Sequence, residues 1–185
     1  MASDISAPTG ITIRPCVKGD EQALALVGQA TFLEAFAGIL DGADILAHCQ
    51  RQHDAQLYRD WLALPAMRLW LAEATPGGAP VGYLVLGPAG LPVTEPRPND
   101  LEIKRIYLLH RFQGRRVGQR LMQAALSQAR AGGAGRVLLG VYAQNHDALA
   151  FYARCGFAQV GRRTFRVGRT DYQDVILGLE LAPAL

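Results

Sequence analysis

The chain has 185 residues, of which 50% are hydrophobic and 19% are charged, and its net charge is +3. This composition is typical of one globular domain and excludes a disordered or fibrous chain. No stretch approaches the roughly 20 apolar residues that span a bilayer. We therefore expect a single cytoplasmic domain over residues 1–185, flexible at 1–10 and without membrane attachment.

The first half of the chain predicts a strand, two helices and a hairpin. Residues 11–16 (ITIRPC) alternate β-branched and polar side chains, which indicates a strand. Asp20 is placed to cap a helix that continues to about Ala37. A second helix is predicted from Ala43 to Leu64, because Pro65 then ends it. Next comes a hairpin of MRLWLAEA (67–74) and VGYLVLG (81–87) around the turn TPGGAP.

The second half alternates strands with helices. After a Pro-rich surface loop, LEIKRIYLL (101–109) predicts a strand. Residues 115–131 place apolar side chains near one helical face, which predicts a helix. RVLLGVYA (136–143) predicts a buried strand, and Asn145 and Gly156 delimit a short helix as its N-cap and C-terminal glycine. A closing hairpin of FAQVGRRTFRV and DYQDVILGLEL is predicted across the turn GRT.

Charge is divided unevenly along the chain. Residues 1–102 contain 12 acidic and 6 basic residues, whereas residues 103–185 contain 4 acidic and 13 basic residues. The aromatic platforms and recognition-helix patterns of nucleic-acid readers are not evident, so we expect no nucleic-acid partner. A compact phosphate ligand accounts better for the basic half.

The segment HRFQGRRVGQRLM joins the strand that ends near Leu109 to the helix predicted from Arg115. A helix N-terminus is partly positive and favours anions, yet this segment carries four arginines and no carboxylate. A diphosphate bound here would be held by backbone N–H groups and arginines together. A solvated basic helix end without a ligand is the alternative. The arginines are Arg111, Arg115, Arg116 and Arg120.

QGRRVG within this segment resembles the Gln/Arg-x-x-Gly-x-Gly/Ala signature of the GNAT superfamily of N-acetyltransferases, whose loop binds the pyrophosphate of coenzyme A. The resemblance extends through an Asn…Phe-Tyr…Gly-Phe pattern, and the C-terminal segment, with its late Gln-Asp, is most similar to the Pai-type spermidine/spermine acetyltransferases. It implies an α/β (α+β, three-layer) fold. That fold has a mixed, mostly antiparallel sheet of about seven strands, flanked by about four helices and splayed between strands 4 and 5.

Arg116 departs from the resemblance, because it stands where the family has its first motif glycine. A positive φ would strain the loop there, whereas a helical backbone would let Arg116 add a phosphate contact at little cost. We favour the helical alternative. The resemblance implies acetyl-CoA as cosubstrate and assigns its binding to these residues: Ile106, Tyr107, Leu108, Gln113, Gly114, Arg115, Arg116, Val117, Gly118, Asn145 and Tyr152.

Acetyl transfer needs a group that takes a proton from the amine and another that protonates the leaving thiolate. The resemblance assigns the acid role to Tyr152, whose ordinary pKa of about 10 keeps it protonated at neutral pH; a half-buried core position is the alternative. Glu102 matches the Glu of the Pai-type Glu-x-x-Arg-Ile-Tyr stretch and is the candidate base. A charge pair with Lys104 is the alternative for Glu102.

These residues predict acetyl-CoA-dependent transfer of an acetyl group to a primary amine by direct attack. A small-molecule acceptor, with a polyamine favoured, would meet carboxylates such as Glu34 or Asp41. A peptide or protein acceptor, through its N-terminus or a lysine, and a non-catalytic acyl-CoA-binding regulatory module are the alternatives; a homodimer is left open. Three widely spaced cysteines and no ligand spacing among the histidines predict reduced thiols and no metal.

Overall fold

The computed structural model describes residues 10–167 and 170–182. Residues 1–9 of the predicted flexible segment, and residues 168 and 169 of the predicted GRT turn, lie outside this part. Within it, no helix is both long and apolar enough to cross a membrane. The strands are β1 Gly10–Pro15, β2 Arg68–Thr75, β3 Ala79–Pro88, β4 Asp100–Leu108, β5 Arg136–Tyr142, β6 Ala158–Val167 and β7 Thr170–Glu180. The helices are α1 Glu21–Phe36, α2 Gly42–Gln52, α3 Ala55–Ala63, α4 Val117–Ala131 and α5 His146–Arg154.

One sheet contains all seven of these strands, in the order β1-β2-β3-β4-β5-β7-β6. Neighbouring strands are antiparallel except β4 and β5, which are parallel because the crossover helix α4 connects them. Their pairing covers only Asp100–Glu102 of β4 and Arg136–Leu138 of β5, although both strands continue beyond it. The predicted mixed sheet, splayed between its fourth and fifth strands, is confirmed.

Helices cover the two faces of the sheet and form three layers. On one side, which we call the α4 face, α4 and α5 pack against strand residues that include Leu139 and Val141. On the other side, the α1 face, α1 and α3 pack against β2 and β3. Side chains alternate along a strand, so Leu138 lies on the α1 face, where it contacts Ile176.

The predicted helix from Ala43 to Leu64 is wrong, because two helices occupy this range. Helix α2 ends at Gln52, and Asp54 is extended, with φ −76° and ψ 144°. His53 between them is buried, and its Nδ1 lies 3.0 Å from Tyr58 Oη. The helix breaks where the His53 ring turns into the core, a contact that the local polar pattern does not indicate.

Asp20 precedes α1 as predicted, but its carboxylate makes no capping hydrogen bond to that helix. It accepts hydrogen bonds from Arg14 Nη1 and from the backbone N–H of Val17, both at 2.7 Å. Glu73 on β2 binds the same guanidinium. The Asp20 oxygens are occupied by Arg14 of β1 and therefore do not cap α1. Asp20 instead links the start of α1 to the edge of the sheet formed by β1 and β2.

Candidate active site

The gap between β4 and β5 opens directly after Glu102. Strand β4 continues through Ile106 and Leu108, which pair with β3 but have no described strand partner on the β5 side. Strand β5 continues to Tyr142, paired with β7 on its other edge. Backbone polar groups that face such a gap need partners, and an extended ligand that carries amides can supply them.

The loop before α4 presents a row of free backbone donors at one end of this gap. The first backbone hydrogen bond of the helix is donated by Arg120 to the carbonyl of Arg116, at 3.0 Å. Among the described residues, none accepts a hydrogen bond from the amides of residues 114–119. These amides and the positive end of the helix dipole converge on one region, which is the arrangement that binds phosphate.

Arg116 adopts the left-handed conformation, with φ 60° and ψ 11°. It is the one non-glycine residue with positive φ in the described part of the chain. The favoured helical alternative is therefore wrong, and α4 begins at Val117 rather than Arg115, since a left-handed residue cannot continue a right-handed helix. This conformation costs about 1–2 kcal/mol in a residue with a Cβ, and such strain concentrates at functional sites.

The four arginines of this segment have different environments. Arg120 donates from Nη1 to the carbonyl of Ile11 at 2.9 Å and so ties α4 to β1. The Arg111 guanidinium lies 5.0 Å from the centre of the Phe112 ring. Arg115 and Arg116 are exposed and have no hydrogen-bond or ion-pair partner among the residues described. These two are therefore the arginines available to an anionic ligand.

Tyr152 lies on the α4 face, where it is buried between Phe151 and Phe157. Burial raises the pKa of Tyr152 well above its ordinary value, so its hydroxyl carries a proton at neutral pH. That hydroxyl has no hydrogen-bond partner among the described residues, which leaves it able to donate to a ligand. About two helical turns before Tyr152, the predicted N-cap Asn145 is confirmed, because its Oδ1 accepts a hydrogen bond from Ala148 N at 3.1 Å.

Glu102 lies on the α1 face, at the point where the gap begins. Its Oε2 accepts hydrogen bonds from the backbone of Gly90 at 2.9 Å and from Lys104 Nζ at 3.2 Å. The charge pair considered as the alternative is therefore present. Oε1 has no described partner, and the Glu102 side chain is 13% exposed, so one carboxylate oxygen still has access to a ligand or water.

Comparison with known proteins identifies the family. Residues 36–157 match the model of the Acetyltransferase (GNAT) family. The chain belongs to this family. It is 31% identical over 162 residues to an uncharacterised N-acetyltransferase of Mycobacterium bovis, an alignment that covers 88% of this chain and 98% of that protein. This GNAT protein is therefore an N-acetyltransferase, and acetyl-CoA is its acetyl donor.

Two further similarities concern proteins whose names state an activity. The N-alpha-acetyltransferase RimI of Mycobacterium tuberculosis is 37% identical over 100 residues, which are 53% of this chain and 59% of that protein. The crystal structure of the PaiA N-acetyltransferase of Thermoplasma acidophilum with coenzyme A superposes with a TM-score of 0.71, at 18% identity, over 93% of this chain and 99% of that one. The second similarity shows that the GNAT fold is shared.

The two predicted acceptor-binding carboxylates lie at the corner between α1 and α2. Glu34 Oε2 accepts a hydrogen bond from the backbone N–H of His110, at 2.7 Å, just after β4. Asp41 caps α2, with Oδ1 2.9 Å from the amide nitrogen of Ala43. Both residues are exposed. The same corner packs against Tyr172 of β7 on the α1 face, so the two carboxylates flank that side of the GNAT sheet.

Sequence reasoning missed a buried polar cluster behind the α1 face. Arg105 Nη1 donates to Tyr58 Oη at 2.8 Å, and Tyr58 Oη lies 3.2 Å from Tyr83 Oη. Burial, with Arg105 nearby, lowers the pKa of His53 to about 3, so this histidine is neutral. One sequence signal existed, a glycine inside a predicted helix: Gly28 lies within α1, and a Cβ there would be 2.5 Å from His53 Nδ1.

A second missed group lies on β6 and β7. The Asp174 side chain is 7% exposed, and its Oδ2 lies 3.1 Å from Arg163 Nε. A charged residue at the start of the apolar run VILGL was the available signal. Among the described residues, no three His, Cys, Asp or Glu side chains are arranged to hold a metal ion.

Proposed function

We propose that this GNAT enzyme acetylates a primary amine of a small molecule, with a polyamine as the favoured acceptor, by direct attack of the amine on the thioester. One observation carries the proposal: the gap between β4 and β5 connects the loop before α4, whose amides have no described acceptor, to a sheet face flanked by carboxylates. A negatively charged cofactor and a positively charged acceptor can therefore approach the same point from different sides.

The cofactor is held by backbone groups along this path. The amides of Gly114 and of the first turn of α4 bind the pyrophosphate, with Arg115 and Arg116 adding charge. The backbone of Ile106 and Leu108 bonds the acetyl carbonyl and the pantetheine amides. Neither residue has a strand partner on the β5 side, which supports this role, although the Leu108 carbonyl accepts a hydrogen bond from Gln113 Nε2 at 3.2 Å. Tyr107, Gln113, Val117, Gly118 and Asn145 complete the set that the family pattern assigns to the cofactor.

The two proton transfers take place on opposite faces of the sheet. The ammonium of the acceptor loses a proton to Glu102, directly or through a water, and the neutral nitrogen attacks the thioester carbonyl carbon. The carbon–sulfur bond then breaks, and the thiolate takes the Tyr152 proton. The proton that the attacking nitrogen must still lose returns to the tyrosinate, directly or through water. Support comes from the placement of Glu102 on the α1 face and Tyr152 on the α4 face, which separates the acid from the base.

The acceptor class follows from charge. Glu34 and Asp41 are exposed carboxylates at the corner that reaches β7, and a polyamine offers several ammonium groups to such a surface. Cys16, Cys49 and Cys155 are free thiols, in keeping with the proposed location in the cytoplasm. The similarity to RimI favours a second candidate, the N-terminal amine of a peptide or protein.

A panel assay tests the proposal. The protein is incubated with acetyl-CoA and spermidine, spermine, single amino acids or short peptides, and thiol release is recorded. We expect release with spermidine or spermine, weakened by added salt because exposed carboxylates guide the acceptor. Release with peptides alone would support the second candidate. Acetyl-CoA binding in a calorimeter without release for any amine would instead indicate a non-catalytic module.

A further inference from the structure

Asp174 lies level with the open part of the gap between β4 and β5. The parallel pairing places Glu102 opposite Leu138, and β4 carries one extra residue, Lys104, in a bulge. Four residues along β5 and five along β4 therefore bring Tyr142 level with Tyr107, about 13 Å from the closed end. Tyr142 is the antiparallel partner of Asp174. Asp174 is therefore level with Tyr107, the neighbour of Ile106, whose backbone is proposed to bond the acetyl group.

The side chain of Asp174 points to the acceptor side of the sheet. Asp174 and Ile176 are two residues apart on β7 and so share a face, and Ile176 packs with Leu138 on the α1 face. Tyr152, on the α4 face, is thus separated from Asp174 by the sheet. An amine that enters from the α1 face meets Asp174 before it reaches the thioester.

Only half of this buried carboxylate has a partner. Nε and Nη2 of Arg163 both lie 3.1 Å from Oδ2. No described residue donates a hydrogen bond to Oδ1. The guanidinium is seated against β5, because a Cβ at Gly140 would lie 2.7 Å from Arg163 Nη2. Burial raises the pKa of Asp174, and Arg163 only partly offsets this, so the ionised carboxylate is incompletely stabilised.

The groups around Asp174 suit a cation. Arg163 on β6 is the one basic side chain in contact with it among the described residues. Tyr142 on β5 and Tyr172 on β7 meet edge to face, with ring centres 5.7 Å apart. Tyr107 on β4 is close enough to Asp174 for the two groups to interact electrostatically. All three tyrosines are partly exposed. Aromatic rings beside a carboxylate attract ammonium groups and exclude bulk water.

We infer that Oδ1 of Asp174 accepts a hydrogen bond from the ammonium group that is to be acetylated, and that Asp174 is the residue that docks the acceptor amine. This inference rests on the proposed function. It gives the β6–β7 hairpin a binding role that neither Glu34 nor Asp41 supplies, because those carboxylates lie at the corner between α1 and α2 rather than on a strand beside the gap. Arg163 occupies the other oxygen, Oδ2.

Steady-state kinetics of Asp174→Asn test the inference, with spermidine and n-butylamine as probes. We expect the KM of either turned-over amine to rise about 10- to 100-fold, the range for losing a hydrogen bond to a charged group. The KM of acetyl-CoA should stay within twofold. Asp171→Asn is the matched control, since it removes a carboxylate from an exposed pair with Arg166 on the same hairpin, and it should leave both KM values unchanged.

Arg163→Met separates docking from a structural ion pair. If Asp174 docks the amine, this variant frees Oδ2 as well, and the amine KM stays equal or falls. If the pair only stabilises the hairpin, Arg163→Met raises the amine KM as much as Asp174→Asn does, and the inference is wrong. An amine KM within twofold of wild type in Asp174→Asn also overturns it.

Failure of the proposed function gives a different result. In that case wild-type protein binds acetyl-CoA but turns over neither spermidine nor n-butylamine, whether or not it acetylates peptides. Should Asp174→Asn not fold, Arg163→Met decides alone: an equal or lower amine KM supports docking, and a tenfold rise contradicts it.

Discussion

Two aspartate–arginine pairs stand at the two ends of the β4–β5 junction, and they differ in how completely the carboxylate is bound. At the closed end, Arg136 Nε donates to Asp100 Oδ1 at 3.0 Å, and the backbone of Arg97 donates to Oδ2, also at 3.0 Å. At the open end, Arg163 contacts only one carboxylate oxygen of Asp174, Oδ2. A fully satisfied pair closes a sheet, whereas a half-satisfied pair leaves room for a ligand.

The same difference appears in the pKa values. Burial acts to raise the pKa of Asp100, but hydrogen bonds from Arg136 and from the Arg97 backbone outweigh it and lower that pKa below its ordinary value. Burial raises the pKa of Asp174, and Arg163 does not compensate. The pair at the closed end therefore stabilises the folded protein at neutral pH, and the pair at the open end does not.

Matched substitutions of the two arginines should give the largest contrast in stability. Arg136→Met leaves a buried Asp100 charge without its partner, and we expect a loss of about 3–5 kcal/mol in the free energy of unfolding. Arg163→Met should cost less than about 1 kcal/mol, since Arg163 is 27% exposed whereas Arg136 is 7% exposed. Urea denaturation of both variants measures this, and equal losses would remove the distinction between the two ends.

Catalysis on the α4 face gives the next largest effect. Tyr152→Phe removes a hydroxyl that has no described partner and keeps the ring packed between Phe151 and Phe157. We expect kcat to fall about 100-fold or more, as for loss of a general acid, while the KM of acetyl-CoA and the melting temperature stay nearly constant. An unchanged kcat would make Tyr152 a core residue only. Phe157→Leu is the control, because it alters packing without removing a proton donor.

Much of the fold could be predicted because its signals are local. The continuous apolar run of β5 and the apolar stripe of α4 follow from neighbouring residues, and Asn145 and Gly156 are capping residues whose preference is intrinsic. The loop before α4 combined clustered arginines with a family signature. Each of these signals is contained in fewer than about 20 residues, so no tertiary contact had to be known.

The features that were missed depend on contacts between distant parts of the chain. The break at His53 requires Tyr58 and Tyr83 to be in place, and the half-bound Asp174 requires Arg163 to be seated on Gly140. The backbone conformation of Arg116 was predicted wrongly for another reason. A glycine would have indicated positive φ from the sequence, but here the loop imposes the left-handed conformation on an arginine. Its strain is visible only once the backbone is known.

Relieving the strain at Arg116 should have an effect of intermediate size, improving stability while weakening the binding of acetyl-CoA. Arg116→Gly should raise the free energy of unfolding by about 1 kcal/mol, because glycine adopts positive φ without penalty. The same change should raise the KM of acetyl-CoA several-fold if the guanidinium contacts phosphate. Arg115→Ala is the control: Arg115 is not at positive φ, so the KM should rise without any gain in stability. A gain in stability with an unchanged KM would exclude a phosphate role for Arg116.

The smallest expected effect is the pH dependence of stability at the two ends, and its sign separates them. Asp100 has a lowered pKa in the folded state, so its contribution is present above the unfolded pKa and is lost as the pH falls through the folded value. Asp174 has a raised pKa in the folded state, so its contribution to the free energy of unfolding is present in acid and is lost as the pH rises through the folded pKa. Asp100→Asn should therefore destabilise the protein at neutral pH, and that deficit should shrink in acid.

Asp174→Asn should be as stable as wild type or slightly more stable at neutral pH, by less than about 1 kcal/mol, with the difference disappearing in acid. Urea denaturation at several pH values measures both variants under the same conditions. Saturating spermidine should reverse the order for Asp174: if its carboxylate binds the acceptor ammonium, the ligand stabilises wild type more than the asparagine variant, because only the ionised partner gains a charged hydrogen bond. Equal stabilisation of both proteins by the amine would place the acceptor away from the open end.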